Sequence, residues 1–195
     1  MSTRAFLFVL GSARQDGNTE QLARLAAAHL PAGVAQRWVR LGELPLEPFL
    51  DIRHSGDGRY PAATGNEQVL LEATLAATDI VIASPLYWYS LSADTKLYLD
   101  YWSGWLRVPG ADFKARMRGK MMWAISTYSG GDPAEADPLL GTLRLTARYL
   151  GMPYAGELLA AGNFPGDVHK DHEALARAKT FFDLAAPASI AESVL

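Results

Sequence analysis

The chain has 195 residues, 49% of them hydrophobic and 20% charged, a profile that suits one folded domain, residues 1–195, with a sizeable core. A formal net charge of −3 disfavours nucleic acid and acidic membrane surfaces as main partners, and it falls short of the acidity of a carrier that docks on basic proteins. The absence of cysteine removes disulfides, thiolate zinc sites, cysteine nucleophiles and cysteine-held iron–sulfur clusters.

The N-terminus is short and polar and runs straight into an apolar strand, so no signal peptide is expected. No apolar run reaches the roughly 18 residues of a membrane span, and the cytoplasm is the expected compartment. Residues 5–10, Ala-Phe-Leu-Phe-Val-Leu, are apolar without alternation, as in a strand buried on both faces. A polar loop, Gly11 to Gly17, follows. From Asn18 the pattern turns helical, with Leu22, Leu25, Ala26 and Leu30 on one face, and Pro31 stops it. Asn18 with Gln21 reads as a capping box. Residues 34–41 make a second strand, and 42–64 form a long Gly-, Pro- and Asp-rich stretch of the kind that is usually functional or mobile. A helix over 65–77 leads into a second buried strand, 79–84, and the aromatic loop Pro85-Leu86-Tyr87-Trp88-Tyr89-Ser90. Ser92 starts a helix through Trp105, on which Tyr98, Leu99, Trp102 and Trp105 form an aromatic face suited to core or subunit packing.

Residues 107–118 read as a basic, irregular connection. A strand over 120–126 opens into the polar loop Thr127-Tyr128-Ser129-Gly130-Gly131-Asp132-Pro133. A helix over 135–150 closes at Gly151, a strand runs over 154–161, a final helix over 171–185, and a frayed tail from Pro187. Alternating strands and helices imply a parallel sheet with right-handed crossovers, and ligands of such sheets bind beyond the carboxyl ends of the strands. Three unusual loops leave those ends: 11–18, 85–91 and 127–133. The first is an anion cradle. The free N–H groups and positive dipole end of a helix start meet donors from Ser12, Asn18 and Thr19 and the charge of Arg14, which suits a phosphate. The same residues would also suit a turn that merely caps a helix. His169 and His172 beside Asp167 and Asp171 read as a solvated helix start rather than a metal site.

Taken together, Gly11-Ser12-Ala13-Arg14-Gln15-Asp16-Gly17-Asn18-Thr19 and Ser84-Pro85-Leu86-Tyr87-Trp88-Tyr89-Ser90-Leu91-Ser92-Ala93 resemble the phosphate loop and second loop of the flavodoxin-like, NAD(P)H-dependent FMN reductases. Lys96, Asp100 and the turn Leu150-Gly151-Met152 extend the likeness. Thr95 and Tyr101 depart from it, at positions the resemblance would link to quaternary contacts. The resemblance implies a three-layer, doubly wound, five-stranded parallel sheet in the order 2-1-3-4-5, and a homodimer or tetramer. It implies an FMN cofactor and NAD(P)H as co-substrate. It also implies ping-pong hydride transfer through the flavin to a quinone, a nitro or azo compound, or free flavin. FMN contacts are expected from Ser12, Arg14, Asn18, Thr19, Pro85, Leu86, Tyr87, Trp88, Thr127, Tyr128, Gly130 and Gly131. No catalytic acid or base and no metal ligand is assigned. Arg107, Lys114 and Arg116 are the candidates for a nicotinamide 2′-phosphate. The alternatives are a flavodoxin-like electron carrier and a flavin-free nucleotide or sugar-phosphate binder.

Overall fold

Five strands form one parallel sheet in the order β2-β1-β3-β4-β5: β1 (Ala5–Leu10), β2 (Ala35–Arg40), β3 (Asp79–Ala83), β4 (Met121–Tyr128) and β5 (Tyr154–Ala161). The structure, a computed structural model, describes residues 4–183; the tail assigned to 187–195 and the end of the last expected helix lie outside the described residues. Six α-helices connect or flank the described strands: α1 (Asn18–Ala27), α2 (Gly65–Ala76), α3 (Ala93–Trp105), α4 (Phe113–Met117), α5 (Asp137–Leu150) and α6 (His172–Ala178).

The unbroken apolar strands have a direct cause. Successive side chains leave a strand on opposite faces, and here both faces are covered. Leu7, Val9, Ile80, Ile82, Met122 and Ala124 pack with residues of α2, α3, α4 and α5. Phe6, Phe8, Leu10, Val81, Trp123 and Ile125 pack with α1 and α6. The aromatic face of α3 is core: Tyr98, Trp102 and Trp105 are buried. Tyr98 Oη shares a hydrogen bond with Thr74 Oγ1 at 2.5 Å. At the amino end of the sheet the buried Asp79 takes Arg4 Nη2 at 2.6 Å and Trp123 Nε1 at 2.9 Å.

Several boundaries move. The basic connection 107–118 is not irregular throughout, because Phe113 and Met117 anchor one helical turn and a half, α4, into the core. β4 runs two residues past Ser126, paired through Tyr128↔Ala161. The last helix is preceded by a 3₁₀ turn, Asp167–Lys170, and starts at His172 with Asp171 as its N-cap. The 42–64 stretch is a packed strap over α3. Phe49 stacks on Tyr60 with ring centroids 5.9 Å apart, and Tyr101 donates to the Glu47 carbonyl at 3.0 Å. Tyr101 therefore has an internal role, as does Thr95, which is fully buried. Among the described residues no helix is long and apolar enough to cross a membrane.

Candidate cofactor site

The sheet order reverses between β1 and β3, and the loops leaving these two strands frame a cleft at their carboxyl ends. Its floor is the loop from Gly11 to the start of α1. Gly11 N–H bonds Ala83 O at 2.9 Å, so the loop begins tied to the neighbouring strand. A Cβ on Gly11 would stand 1.8 Å from Thr95 Oγ1 and 2.7 Å from Ser92 Oγ, so the close approach of α3 to the loop requires glycine here. Ser12 Oγ accepts the Arg14 N–H at 3.1 Å, which folds the loop back and leaves the hydroxyl proton available. Gly17 occupies the N-cap of α1 with no side-chain cap, so the helix opens towards the cleft with N–H groups that have no partner inside the helix.

The capping box assigned to Asn18 is absent. Asn18 lies inside the helix, and its amide reaches away from it to the segment after β5. Its Nδ2 donates to Phe164 O at 2.9 Å, while its Oδ1 accepts Gly166 N–H at 3.0 Å and Val168 N–H at 3.4 Å. Asn18 thus clasps a further wall of the cleft, formed by Gly162, Asn163 and Pro165. None of those three residues was a sequence candidate. The only hint was their place directly after the last strand.

The second wall is the aromatic loop. Ser84 Oγ accepts the Ser92 N–H at 2.9 Å, and Leu86 N–H bonds Thr127 O at 3.1 Å. Tyr87 and Ser90 exchange two 3.0 Å backbone hydrogen bonds around Trp88 and Tyr89. Both central residues have positive φ, 48° and 62°, the pattern of a type I′ hairpin turn. Pro85, Leu86 and Tyr87 line the cleft, but the turn carries Trp88 out to 93% exposure.

The third wall is the end of β4. Thr127 Oγ1 and Thr19 Oγ1 are 2.6 Å apart and buried, joining the sheet to α1. Tyr128 lines the cleft with Ser129. Burial, reinforced by Asp171, Asp132 and Glu173, pushes the Tyr128 hydroxyl above its ordinary value, so it remains a proton donor at neutral pH.

Nine of the expected contact residues therefore share this cleft: Ser12, Arg14, Asn18, Thr19, Pro85, Leu86, Tyr87, Thr127 and Tyr128. Trp88, Gly130 and Gly131 do not line it. For the glycines the reason is the longer β4: the turn starts after Tyr128, and two residues at φ 102° lead away from the strand. The histidine cluster is also resolved. Asp171 accepts N–H groups of Ala161 and Ala174, and Asp167 accepts those of Asn163 and Phe164, so both carboxylates cap backbone. One residue near the site escaped notice: Glu20, on the first turn of α1, is 1% exposed. Burial alone would raise its pKa, but hydrogen bonds from Arg40, Arg24 and the Asp16 N–H together hold it below the ordinary carboxylate value.

Comparison with known proteins agrees with this architecture. The family described as NADPH-dependent FMN reductase matches residues 5–166. A Bacillus subtilis (strain 168) protein, provisionally named NAD(P)H-dependent FMN-containing oxidoreductase YwqN, is 32% identical over 169 residues, covering 86% of this chain and 91% of its own. Among solved structures, the Trp repressor binding protein from Bacillus subtilis superposes with a TM-score of 0.74 at 26% identity, covering 93% of this chain and 99% of that one. An azoreductase from Bacillus anthracis str. Sterne shares the fold at a TM-score of 0.61 and 18% identity, over 91% of this chain and 100% of its own. With its uncapped helix at the switch point and a family match over most of its length, the chain belongs to the NADPH-dependent FMN reductase family and is an FMN-dependent NAD(P)H oxidoreductase.

Proposed function

We propose that the cleft holds FMN with its phosphate on the 11–19 loop and its ring between Pro85–Tyr87 and Thr127–Ser129, and that NAD(P)H and a small acceptor use the open side in turn. The acceptor is a quinone, a nitro or azo compound, or free flavin, and the kinetics are ping-pong because both substrates need the same side. The observation that carries this reading is the uncapped N-terminus of α1 opening into a cleft also lined by the Ser12 and Thr19 hydroxyls and by Arg14.

When bound, FMN supplies the two-electron chemistry, taking hydride from NAD(P)H and passing it on. The chain's own part is binding, orientation and exclusion of water. Ser12 Oγ already accepts the Arg14 N–H, so its proton can go to a phosphate oxygen. In the Thr19–Thr127 pair, whichever hydroxyl accepts keeps its own proton for the ligand. Arg14 lines the same end of the cleft and adds full charge. Pro85 and the Leu86–Thr127 hydrogen bond fix the backbone of the second loop against β4, giving a planar ring a pre-formed slot. Tyr128 and Ser129 complete the wall of the cleft at the end of β4.

Self-association and a cytoplasmic location complete the proposal. Leu145 and Tyr149 on α5 are exposed beside an apolar groove shared with Leu99, Trp102 and Leu106 of the α3 segment, a surface suited to a second subunit. Titration with FMN tests the core of the reading: one equivalent should quench flavin fluorescence, and the loaded protein should oxidise NAD(P)H with parallel double-reciprocal plots against the acceptor. Failure to take up FMN would overturn it.

A further inference from the structure

We infer that Glu20 is a positioning residue for the phosphate loop, acting together with Arg40 from the neighbouring strand. The inference rests on the reading that the 11–19 loop holds the FMN phosphate. Glu20 sits beneath that loop, and its two oxygens are divided between the loop and two arginines. Oε2 accepts the Asp16 N–H at 3.0 Å and Arg40 Nη2 at 2.6 Å. Oε1 accepts Arg24 Nε at 3.0 Å and Nη2 at 2.7 Å. Arg40 Nη1 continues to the Arg14 carbonyl at 3.2 Å. One buried carboxylate therefore reaches both the middle of the loop and, through Arg40, the backbone of Arg14, which lines the cleft.

The loop needs such a restraint. Asp16 is held at φ 52°, a left-handed conformation that costs a non-glycine residue energy and persists only when surrounding contacts enforce it. Its N–H goes to Glu20, and its carbonyl accepts Gln21 Nε2 at 2.5 Å. Arg40 is the last residue of β2 and lies opposite Leu10, the residue just before the loop. The Glu20–Arg40 pair thus references the loop to the sheet edge.

A negative charge under a phosphate site opposes the ligand on simple Coulomb grounds, and a buried ion pair is weak as a device for stability alone. Its bonding pattern accounts for its presence differently. It spends its hydrogen bonds on holding the donors of the loop in one arrangement, a pre-organisation that lowers the cost of binding. Because the effect runs through the phosphate loop, it should be felt by ligands that carry the phosphate and not by those that lack it.

Riboflavin, which shares the ring and lacks the phosphate, is the control. Dissociation constants for FMN and riboflavin are measured by fluorescence titration of wild type, Glu20→Gln and Arg40→Gln, with thermal unfolding of each. Glu20→Gln should weaken FMN about tenfold and leave riboflavin within twofold. Arg40→Gln, which spares the Glu20–Arg24 and Glu20–Asp16 contacts, keeps the test open if the first variant does not fold, and should show a smaller loss confined to FMN. Equal weakening of both ligands, or no change in either, would overturn the positioning role. A wild type that binds FMN no better than riboflavin would instead overturn the phosphate-loop reading, and this inference with it.

Discussion

Replacing the tip of the aromatic hairpin with the residues its turn prefers should stabilise the protein. Trp88 and Tyr89 occupy both positive-φ positions of the turn, where Asn-Gly is the favoured pair. A residue other than Gly, Asn or Asp held there costs about 1 kcal/mol. Trp88→Asn forfeits almost no burial, because Trp88 is 93% exposed, so about 1 kcal/mol is recovered. Tyr89→Gly relieves a similar strain but loses part of a half-buried ring and adds chain entropy, leaving a net gain of about 0.5 kcal/mol. The double variant should gain about 1.5 kcal/mol. For 195 residues the unfolding entropy converts that to an upward Tm shift of about 4 °C. Differential scanning calorimetry of the apoprotein measures it directly. The exchanged backbone bonds of Tyr87 and Ser90 should persist, so amide exchange of Ser90 should not accelerate. An unchanged or lowered Tm would refute the reasoning, because it would mean that contacts of the two aromatic rings offset the strain.

Gly11→Ala should destabilise by about 3 kcal/mol and abolish FMN uptake, since its Cβ would stand 1.8 Å from Thr95 Oγ1; adding Thr95→Ala should restore part of both, as read by thermal unfolding and flavin titration. Asn18→Ala removes three hydrogen bonds to the 162–168 wall and leaves the buried Val168 N–H unpaired; we expect a loss of about 2 kcal/mol in stability and a tenfold rise in the FMN Kd. Asp79→Ala breaks the buried pair with Arg4 at the opposite end of the sheet and should cost about 3 kcal/mol in denaturant unfolding while leaving the FMN Kd within twofold. The pH dependence of Glu20 has a definite sign. Its folded pKa is held below the ordinary 4.5, so its stabilisation is complete above pH 4.5 and lost as pH falls through the folded value. The stability gap between wild type and Glu20→Gln should therefore be constant near neutrality and close in acid; a gap that widened in acid would contradict the assignment.

The parallel α/β architecture and most of the cleft were legible from local pattern, while the family and the strand order followed from the resemblance of the two loops. A strand buried on both faces must be continuously apolar, so β1 and β3 announced themselves, and the polar loops after them followed from where the apolar runs stop. Nine cleft-lining residues could be named because each lies where an apolar strand ends or the next helix begins, positions that the hydrophobic pattern marks. What the sequence could not supply was direction. Trp88 belongs to the right loop, but a turn with two left-handed residues points it outward. Thr127 and Tyr128 were placed in a loop, whereas pairing with Ala160 and Ala161 keeps them in β4 and turns Gly130 and Gly131 away. Asn18 looked like a cap within its own helix, yet its partners lie 146 to 150 residues downstream. Glu20 reads as an ordinary first-turn acid until Arg40 arrives from an adjacent strand. Short-range hydrophobic period and turn chemistry act along the chain and are written in the sequence. Which polar side chain meets which depends on strand register and loop closure, and those exist only once the sheet has formed.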